Sequence, residues 1–250
     1  YIEVFHLATE SASPTAEVQY ALSYGHSAGS GSPDFTNDTG SFGLGASRCI
    51  YNQYRQLVFG DETQNFTFGT HTPKDIYVVN LNRARYKNRL SLGTLSLHLS
   101  ASTAGAGALN TIHLTDDSVS NTASRTRRGL GLEYSIVSGS AGVYTGSLAN
   151  QVGGSSSYGL FYPESGVIIL NGDAFDLDLA PIRNPGASGN TDQNNRKLFQ
   201  AISSSGHFIV DTEEDINSNF YFLRARNGEF NYTTNDSFSD TNNNITFTSM

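Results

Sequence analysis

The residues Asp75–Leu81, with the sequence DIYVVNL, decide the fold of this chain. Four consecutive apolar residues stand at its centre, and three of them are β-branched. β-Branched and aromatic side chains favour strands, and an apolar run without polar alternation is typical of a strand inside a sheet. We therefore predict that this segment is a buried β-strand, around which the neighbouring segments must be arranged.

A basic segment, LNRARYKNRL at residues 81–90, directly follows this strand. Four of seven consecutive positions in it are basic: Arg83, Arg85, Lys87 and Arg89. If the strand continued, all four side chains would point to one face. If the segment turned helical, Arg85 and Arg89 would share one face of the helix. Tyr86 and Leu90 would then pack inward. The strong helix formers in this segment favour the helix.

The overall charge argues against a nucleic acid as the partner of this basic segment. The chain has 250 residues and a formal charge of −8, from 23 acidic and 15 basic side chains. Binding a phosphate backbone requires a field that neutralises many charges. Twelve of the basic residues are arginines, and the planar guanidinium suits buried or interfacial ion pairs. The composition therefore favours contacts with protein, and no nucleic-acid or membrane partner is expected.

The arginine-rich positions form our hypothetical interface. They comprise the basic segment and a second short stretch near the C-terminus, so the residues are Arg83, Arg85, Lys87, Arg89, Arg224 and Arg226. These charges need acidic partners. The chain offers acidic side chains at residues 173–178 and 211–215, and a neighbouring subunit is the alternative source.

Helical patterns occur on both sides of the central strand. Residues 47–59 place four apolar side chains on one face, with Ser47 as a candidate cap; these are Ile50, Tyr54, Leu57 and Val58. Cys49, the single cysteine, is predicted on that buried face as a core thiol. A second short helix is predicted at residues 191–203.

Strand patterns dominate the rest of the chain. Residues 18–24 alternate, and residues 92–100 place Leu95, Leu97 and Leu99 on one face. Further strands are predicted at 111–115, 129–139 and 143–148. Residues 158–172 read as a hairpin with its turn at Pro163–Gly166. The pair Asn227-Gly228 is a strong signal for another hairpin, because a type I′ turn needs positive φ at both positions.

These elements predict a mainly β fold, with β-sandwich-like antiparallel sheets, two or three short helices and an irregular N-terminal arm. We expect the arm, with a strand and a Gly/Ser-rich loop, at residues 1–46. A β-rich core domain is expected at 47–233, and a flexible C-terminal tail at 234–250.

No set of residues in the sequence indicates chemistry. The chain has six histidines, none at metal-ligand spacing, and its acidic stretches do not match a calcium loop. Glu133, Glu164 and Asp173 are candidate acids for glycan cleavage, but nothing in the sequence pairs them. We therefore predict no metal site, no cofactor, no catalytic residue and no enzymatic activity.

Several stretches resemble a known family in order along the chain. They lie within residues 47–236 and read SRCIYNQYRQLVF, IYVVNLNRARYKNRLSLGTLSLHLS, GLFYPESGVIILN and FYFLRARNGEFNYTTN. The chain is similar here to virion structural proteins, associated with the tail or baseplate, of large contractile-tailed bacteriophages, notably marine myoviruses. It departs from that family at Ser91–Gly93, where the family has an acidic residue, a proline and a glycine.

The resemblance implies a non-enzymatic structural component of a tailed-phage virion, in the tail baseplate or at its periphery. Its partners would be other virion proteins, in several copies of a symmetric assembly. It would be located in the phage particle and assembled in the cytoplasm of the bacterial host. The alternative is a receptor- or carbohydrate-binding β-domain of a phage fibre or a secreted adhesin.

Overall fold

The computed structural model describes most of the chain and divides it into two compact units. The units are residues 1–214 and 215–250. The described residues are 18–29, 46–69, 71–102, 109–145, 158–174, 194–224, 237, 239, 241 and 242.

The first unit is mainly β, as predicted, and its main sheet is antiparallel and curled. Its strands are β1 (Tyr20–His26), β2 (Asp75–Leu81), β3 (Arg89–Leu90), β4 (Ser96–Ser102), β5 (Leu109–Asp116), β6 (Arg127–Arg128), β7 (Gly131–Leu132), β8 (Tyr134–Ser140), β9 (Val143–Tyr144), β10 (Gly159–Tyr162), β11 (Val167–Asn171), β12 (Phe208–Ile209) and β13 (Thr212–Glu213). The helices are α1 (Ala46–Phe59) and α2 (Asn194–Ser205), with a 3₁₀ turn at Arg83–Arg85.

The main sheet has the order β1-β2-β11-β10-β8-β5-β4-β12, with β9 beside β8. Two small ribbons, β3 with β13 and β6 with β7, lie outside it. The rings of Tyr20 in β1 and Phe208 in β12 approach to 5.2 Å between centroids. The two ends of the sheet therefore meet, and the curl encloses one face.

β2 is buried on both faces, which explains its continuous apolar run. Tyr77 and Val79 belong to the core cluster on the enclosed face. Ile76 and Val78 belong to a second cluster on the opposite face, with side chains of α1. All four side chains have no exposed surface. The predicted buried strand is confirmed.

Helix α1 covers the outer face of the sheet beside β1 and β2. The residues that it buries include Ile50, Tyr54 and Val58, as the sequence predicted. Gly25 of β1 permits the close approach, because a Cβ there would lie 2.9 Å from the backbone nitrogen of Tyr51. The hydrophobic effect drives this packing, since three large side chains leave water along one helical face.

Two side chains of α1 were wrongly placed by the sequence pattern. Cys49 is exposed rather than buried, and Leu57 is 44% exposed. The buried face instead includes Ser47 and Tyr51. Each residue turns the side chain by about 100° around the helix axis, so Cys49 and Tyr51 lie on opposite sides of Ile50, and Tyr51 is the one that is buried.

Helix α2 packs on the enclosed face of the sheet, against β4 and β1. It begins at Asn194 and ends at Ser205, close to the predicted range. Its Leu198, Ala201 and Ile202 join the enclosed core cluster. β4 alternates as predicted. Leu97 and Leu99 belong to that cluster, and His98 between them does not.

The basic segment is neither the predicted helix nor a continued strand. It makes a single 3₁₀ turn, capped by the side chain of Asn82, which accepts from the backbone N–H of Ala84. The backbone N–H of Leu90 then donates to the carbonyl of Pro163, which takes the chain into β3. Tyr86 and Leu90 are nonetheless buried, at 5% and 1% exposure, as the helical interpretation required.

The predicted hairpin at residues 158–172 is present as β10 and β11. Its turn places Gly166 at φ 67°, a backbone conformation that glycine adopts without steric cost. A Cβ at this position would also lie 2.8 Å from the ring of Tyr86. The turn is therefore packed directly against the basic segment.

The boundaries of the sequence-based domains differ from the units of the structure. β1, assigned to an N-terminal arm, pairs with β2 along its whole length, so it belongs to the main sheet. The first unit ends at Glu214, well before residue 233. The hairpin was predicted to reach residue 172, but β11 ends at Asn171 and a helical turn follows at 172–174. Three predicted segments lie outside the described residues. They are the rest of the N-terminal segment 1–46, the Asn227-Gly228 hairpin and most of the tail at 234–250.

Candidate interaction site at the seam of the sheet

A groove opens where the two ends of the curled sheet meet. We call it the seam groove, and its volume is about 350 Å³. Seven of its ten lining residues are apolar or aromatic. The lining consists of Gln19, Tyr20, Leu81, Arg85, Tyr86, Leu90, Phe208, Ile209, Val210 and Thr212.

The basic segment forms one wall of the seam groove. The side chains of Tyr86 and Leu90 are held by the 3₁₀ turn on one side and by β3 on the other. Burial raises the pKa of the Tyr86 hydroxyl, and the nearby Arg83 opposes that shift. This wall is thus an apolar surface with positive charge at its rim.

Arg83 and Arg85 have different environments within the same turn. The guanidinium of Arg83 lies 4.5 Å from the ring centroid of Tyr86 and donates to the Tyr86 carbonyl at 2.7 Å. It therefore stabilises the turn. Arg85 is exposed and lines the groove. Of these two arginines, Arg85 is the one that lines the groove.

Lys87 and Arg89 have acidic partners in the same chain. Arg89 donates twice to Glu213, at 2.6 and 3.1 Å, so β3 and β13 are joined by a bidentate ion pair as well as by their backbones. These hydrogen bonds lower the pKa of Glu213. Lys87 lies 3.7 Å from Glu214. The predicted acidic stretch 211–215 thus supplies partners for two of the basic residues.

The two remaining residues of the hypothetical interface, Arg224 and Arg226, lie beyond the first unit. Arg224 is exposed and belongs to the second unit. Arg226 lies outside the described residues. A shared arginine-rich pattern therefore does not by itself show that the six residues form one surface.

The second unit begins with an exposed apolar segment, residues Asp215–Arg224, which we call the arm. It has neither helix nor strand hydrogen bonding. Four consecutive side chains are 80–96% exposed, and Ile216 is 83% exposed; the four are Phe220, Tyr221, Phe222 and Leu223. Soluble proteins rarely leave contiguous large apolar side chains in water, and such patches mark interaction sites. The predicted core domain at 47–233 included this stretch, so the sequence pattern did not predict its exposure.

A stack of three histidines lies on the outer face of the sheet, across β5, β4 and the residue before β12. His98 in β4 stacks on His113 in β5 with ring centroids 3.9 Å apart, and on His207 with the same spacing. Burial lowers the pKa of His98 to about 4, helped by the charges that the other two rings can carry. The sequence pattern could have revealed the outward orientation of His98 and His113, but not the pairing of their strands.

This histidine stack does not form a recognisable metal or catalytic site. Ser96 Oγ lies 2.8 Å from His207 Nε2 and 3.3 Å from His98 Nε2. Nearly parallel rings direct their nitrogen lone pairs in parallel planes rather than towards one point. Within the residues that the structure describes, no group of three or more histidine, cysteine or carboxylate side chains is placed to hold a metal ion.

The three candidate acids are engaged in separate contacts. Glu133 accepts from the hydroxyl of Tyr162 at 2.8 Å and lies 3.3 Å from Arg128. Glu164 accepts twice from Arg127, and Asp173 lies 2.6 Å from His71 Nε2. Burial and the adjacent Glu133 raise the pKa of Tyr162. Each acid therefore stabilises a different part of the fold.

Comparisons with known proteins leave the geometry as the guide to function. No protein family, curated protein or solved structure matches this chain. None of the helices in the described part of the chain has the length and apolar character needed to cross a membrane.

Proposed function

We propose that this protein is a non-enzymatic structural component of a tailed-phage virion, in the tail baseplate or at its periphery. It acts through protein–protein interfaces with other virion proteins. The observation that carries the proposal is the arm, whose four consecutive large apolar side chains are 80–96% exposed. A segment of this kind gains its stabilisation by burial against another surface.

Two further features support an assembly role. The seam groove is an apolar surface with Arg85 at its rim, and arginine is enriched at protein interfaces. The family resemblance in sequence, over residues 47–236, points to the same role. The candidate acids are bound by arginine, tyrosine or histidine side chains, so they do not favour a glycosidase.

Incorporation into particles tests the proposal. We expect Arg85→Glu to reduce the amount of this protein in purified particles, because it reverses charge on an exposed side chain at the groove. Arg89→Glu is the matched control for an internal effect, since Arg89 pairs with Glu213. Both variants should keep the circular dichroism spectrum and the cooperative unfolding of the parent chain.

Electron microscopy of the intact particle gives the direct answer. Density for this fold at a fixed position with neighbouring proteins on the arm is the expected result. Particles that assemble normally and lack the protein would refute the virion role.

A carbohydrate-binding module is the second candidate function. The observation in its favour is that Tyr20, Tyr86 and Phe208 line one groove together with Gln19 and Arg85. Two of these rings are almost fully buried, however, at 5% exposure each for Tyr20 and Tyr86. Sugar stacking needs an exposed ring face, so a glycan array should give no reproducible binding, and a hit that Arg85→Ala abolishes would reverse the preference.

A further inference from the structure

We propose that the arm of one copy docks in the seam groove of a second copy, with Phe220 and Phe222 as the anchors. This inference rests on the proposed function and deepens it, because it names the first partner of the interface as the chain itself. It commits to an exchange of arms between two copies, in which each copy gives one arm and receives one.

The arm has the chemistry of an anchor segment. Phe220 and Phe222 are 80% and 95% exposed. When such a segment docks in an extended form, alternate side chains point the same way. Phe220 and Phe222 then enter a groove together, while Tyr221 and Leu223 face away from its floor.

The seam groove has the size and lining that such anchors need. A cavity of about 150 Å³ holds one benzene ring, so a volume of about 350 Å³ has room for two phenyl rings. Its apolar lining includes Leu81, Ile209 and Val210. Arg85 adds a guanidinium that can stack on an aromatic ring. The groove therefore favours aromatic over purely aliphatic side chains.

The buried area is sufficient for a stable dimer. An aromatic side chain buries about 150–250 Å², so the two phenylalanine anchors of one arm bring roughly 400 Å² to the contact. The matching groove surface doubles this value, and a reciprocal exchange doubles it again, to roughly 1,600 Å². Specific protein–protein interfaces bury about 1,200–2,000 Å².

A second copy is the favoured occupant because every copy carries both halves of the contact. The arm starts two residues after Glu213, and Thr212 of the same strand lines the groove. A two-fold axis between two copies then allows each arm to cross into the other groove, which closes the assembly at two chains. Docking of the arm in its own groove and docking in an unrelated protein are the competing outcomes.

Self-association of the purified full-length chain is the first test. We expect sedimentation equilibrium to give a dimer for the parent chain. Phe220→Ala with Phe222→Ala should weaken the dimer about 100-fold or more, as expected for two central aromatic anchors. The matched control is Tyr221→Ala with Leu223→Ala, which removes similar apolar area from the other side of the arm and should change the dissociation constant by less than about tenfold.

The groove is tested separately from the arm. Ile209 is 52% exposed and lines the groove, so Ile209→Glu places a charge in the docking site without opening the core. We expect the same loss of dimer as for the two phenylalanines. A parent chain that stays monomeric at high concentration, or a dimer that Ile209→Glu leaves intact, would overturn the proposal.

Cross-linking between differently tagged copies separates exchange from docking within one chain. The variant carries Cys49→Ser, Thr212→Cys and Arg224→Cys, so that one thiol lies at the groove and one on the side of the extended arm that carries Phe220 and Phe222. We expect oxidation of a mixture of two tagged forms to join one tag to the other. A disulfide confined to single chains would contradict the exchange.

These results and those for the proposed function can fail independently. A monomeric chain that is nevertheless found in particles removes the second copy as the partner but keeps the virion role. A dimer that forms in solution and is absent from particles keeps the arm exchange and removes the virion role.

Discussion

Two apolar runs of the same length have opposite environments in this molecule. Ile76–Val79 in β2 has no exposed surface, whereas Phe220–Leu223 in the arm is 80–96% exposed. β2 lies between two neighbouring strands and between two core clusters. The arm follows the last strand of the first unit. The comparison shows that an apolar run indicates burial only together with the segments that can cover it.

The largest expected effect comes from the buried run. Tyr77→Ala should lower the free energy of unfolding by about 3–5 kcal/mol, because a fully buried ring leaves a cavity between β2 and Tyr24. Phe222→Ala is its counterpart in the arm and should change that free energy by less than about 0.5 kcal/mol. Urea unfolding of both variants, measured at a protein concentration low enough to keep the chain monomeric, checks the contrast.

Equal losses of stability in the two variants would mean that the arm packs within its own chain. The contrast between a buried and an exposed apolar run would then be wrong. A loss of unfolding free energy in Tyr77→Ala alone would support the contrast.

The next effect tests the cover over the outer face of β2. Gly25→Ala should lower the free energy of unfolding by about 1–3 kcal/mol, because the new methyl group would lie 2.9–3.0 Å from backbone atoms of Tyr51 and force α1 away from the sheet. Thermal unfolding measures the loss. Stability equal to that of the parent would show that α1 adjusts without cost and that its contact with β1 is loose.

We expect the free energy of unfolding to depend on pH through His98, which lies on the outer face of the sheet. The folded-state pKa of His98 is about 4, below its ordinary value of 6.5. The unfolded chain therefore takes up this proton first, so stability is complete above about pH 6.5 and is lost as the pH falls towards 4. We expect a loss on the order of 1–2 kcal/mol, less than the full shift implies, because the ring is partly exposed.

Urea unfolding at pH 7 and pH 4.5 measures that loss, and the NMR titration of His98 locates its midpoint. His98→Asn should make the unfolding free energy less dependent on pH over this range. The groups that face His98 are His113, His207 and Ser96. An ordinary midpoint for His98 would argue against the stacked arrangement.

The smallest effect belongs to the ion pair at the edge of the seam groove. A double-mutant cycle with Arg89→Ala and Glu213→Ala should give a small favourable coupling energy, because both side chains are exposed to water, which screens their attraction. Chemical denaturation of the four proteins measures it. A coupling indistinguishable from zero would assign the joining of β3 and β13 to their backbone hydrogen bonds alone.

Local patterns predicted most of the sheet but not its arrangement. The continuous run in β2, the alternation in β4 and the Pro163–Gly166 turn follow from side-chain chemistry over a few residues. The neighbour of β2 on one side is β11, which is remote in sequence. No local signal specifies that pairing. The exposure of Cys49 was missed for a similar reason, since it depends on which side of α1 faces the sheet.

The candidate site was only partly predictable. The burial of Tyr86 and Leu90 was predicted from a helix, but a 3₁₀ turn and a short strand hold them instead. Residues 211–215 were one of several acidic sources that the sequence left open. The seam groove arises because β1 meets β12 after the sheet has curled, so its lining comes from three separate stretches of chain. The three stacked histidines likewise come from positions brought together by strand register alone.

The strand order also sets a constraint on the synthesis of this protein. β2 ends at Leu81 and its second neighbour begins at Val167, so 85 residues lie between the end of one and the start of the other. Ribosomes add about 5–20 residues per second, so the apolar run waits roughly 4–17 s for that neighbour. During this interval it has one open edge and can pair with another nascent chain. We therefore expect the yield of folded protein to depend on translation speed and chaperone capacity as well as on the stability of the finished sheet.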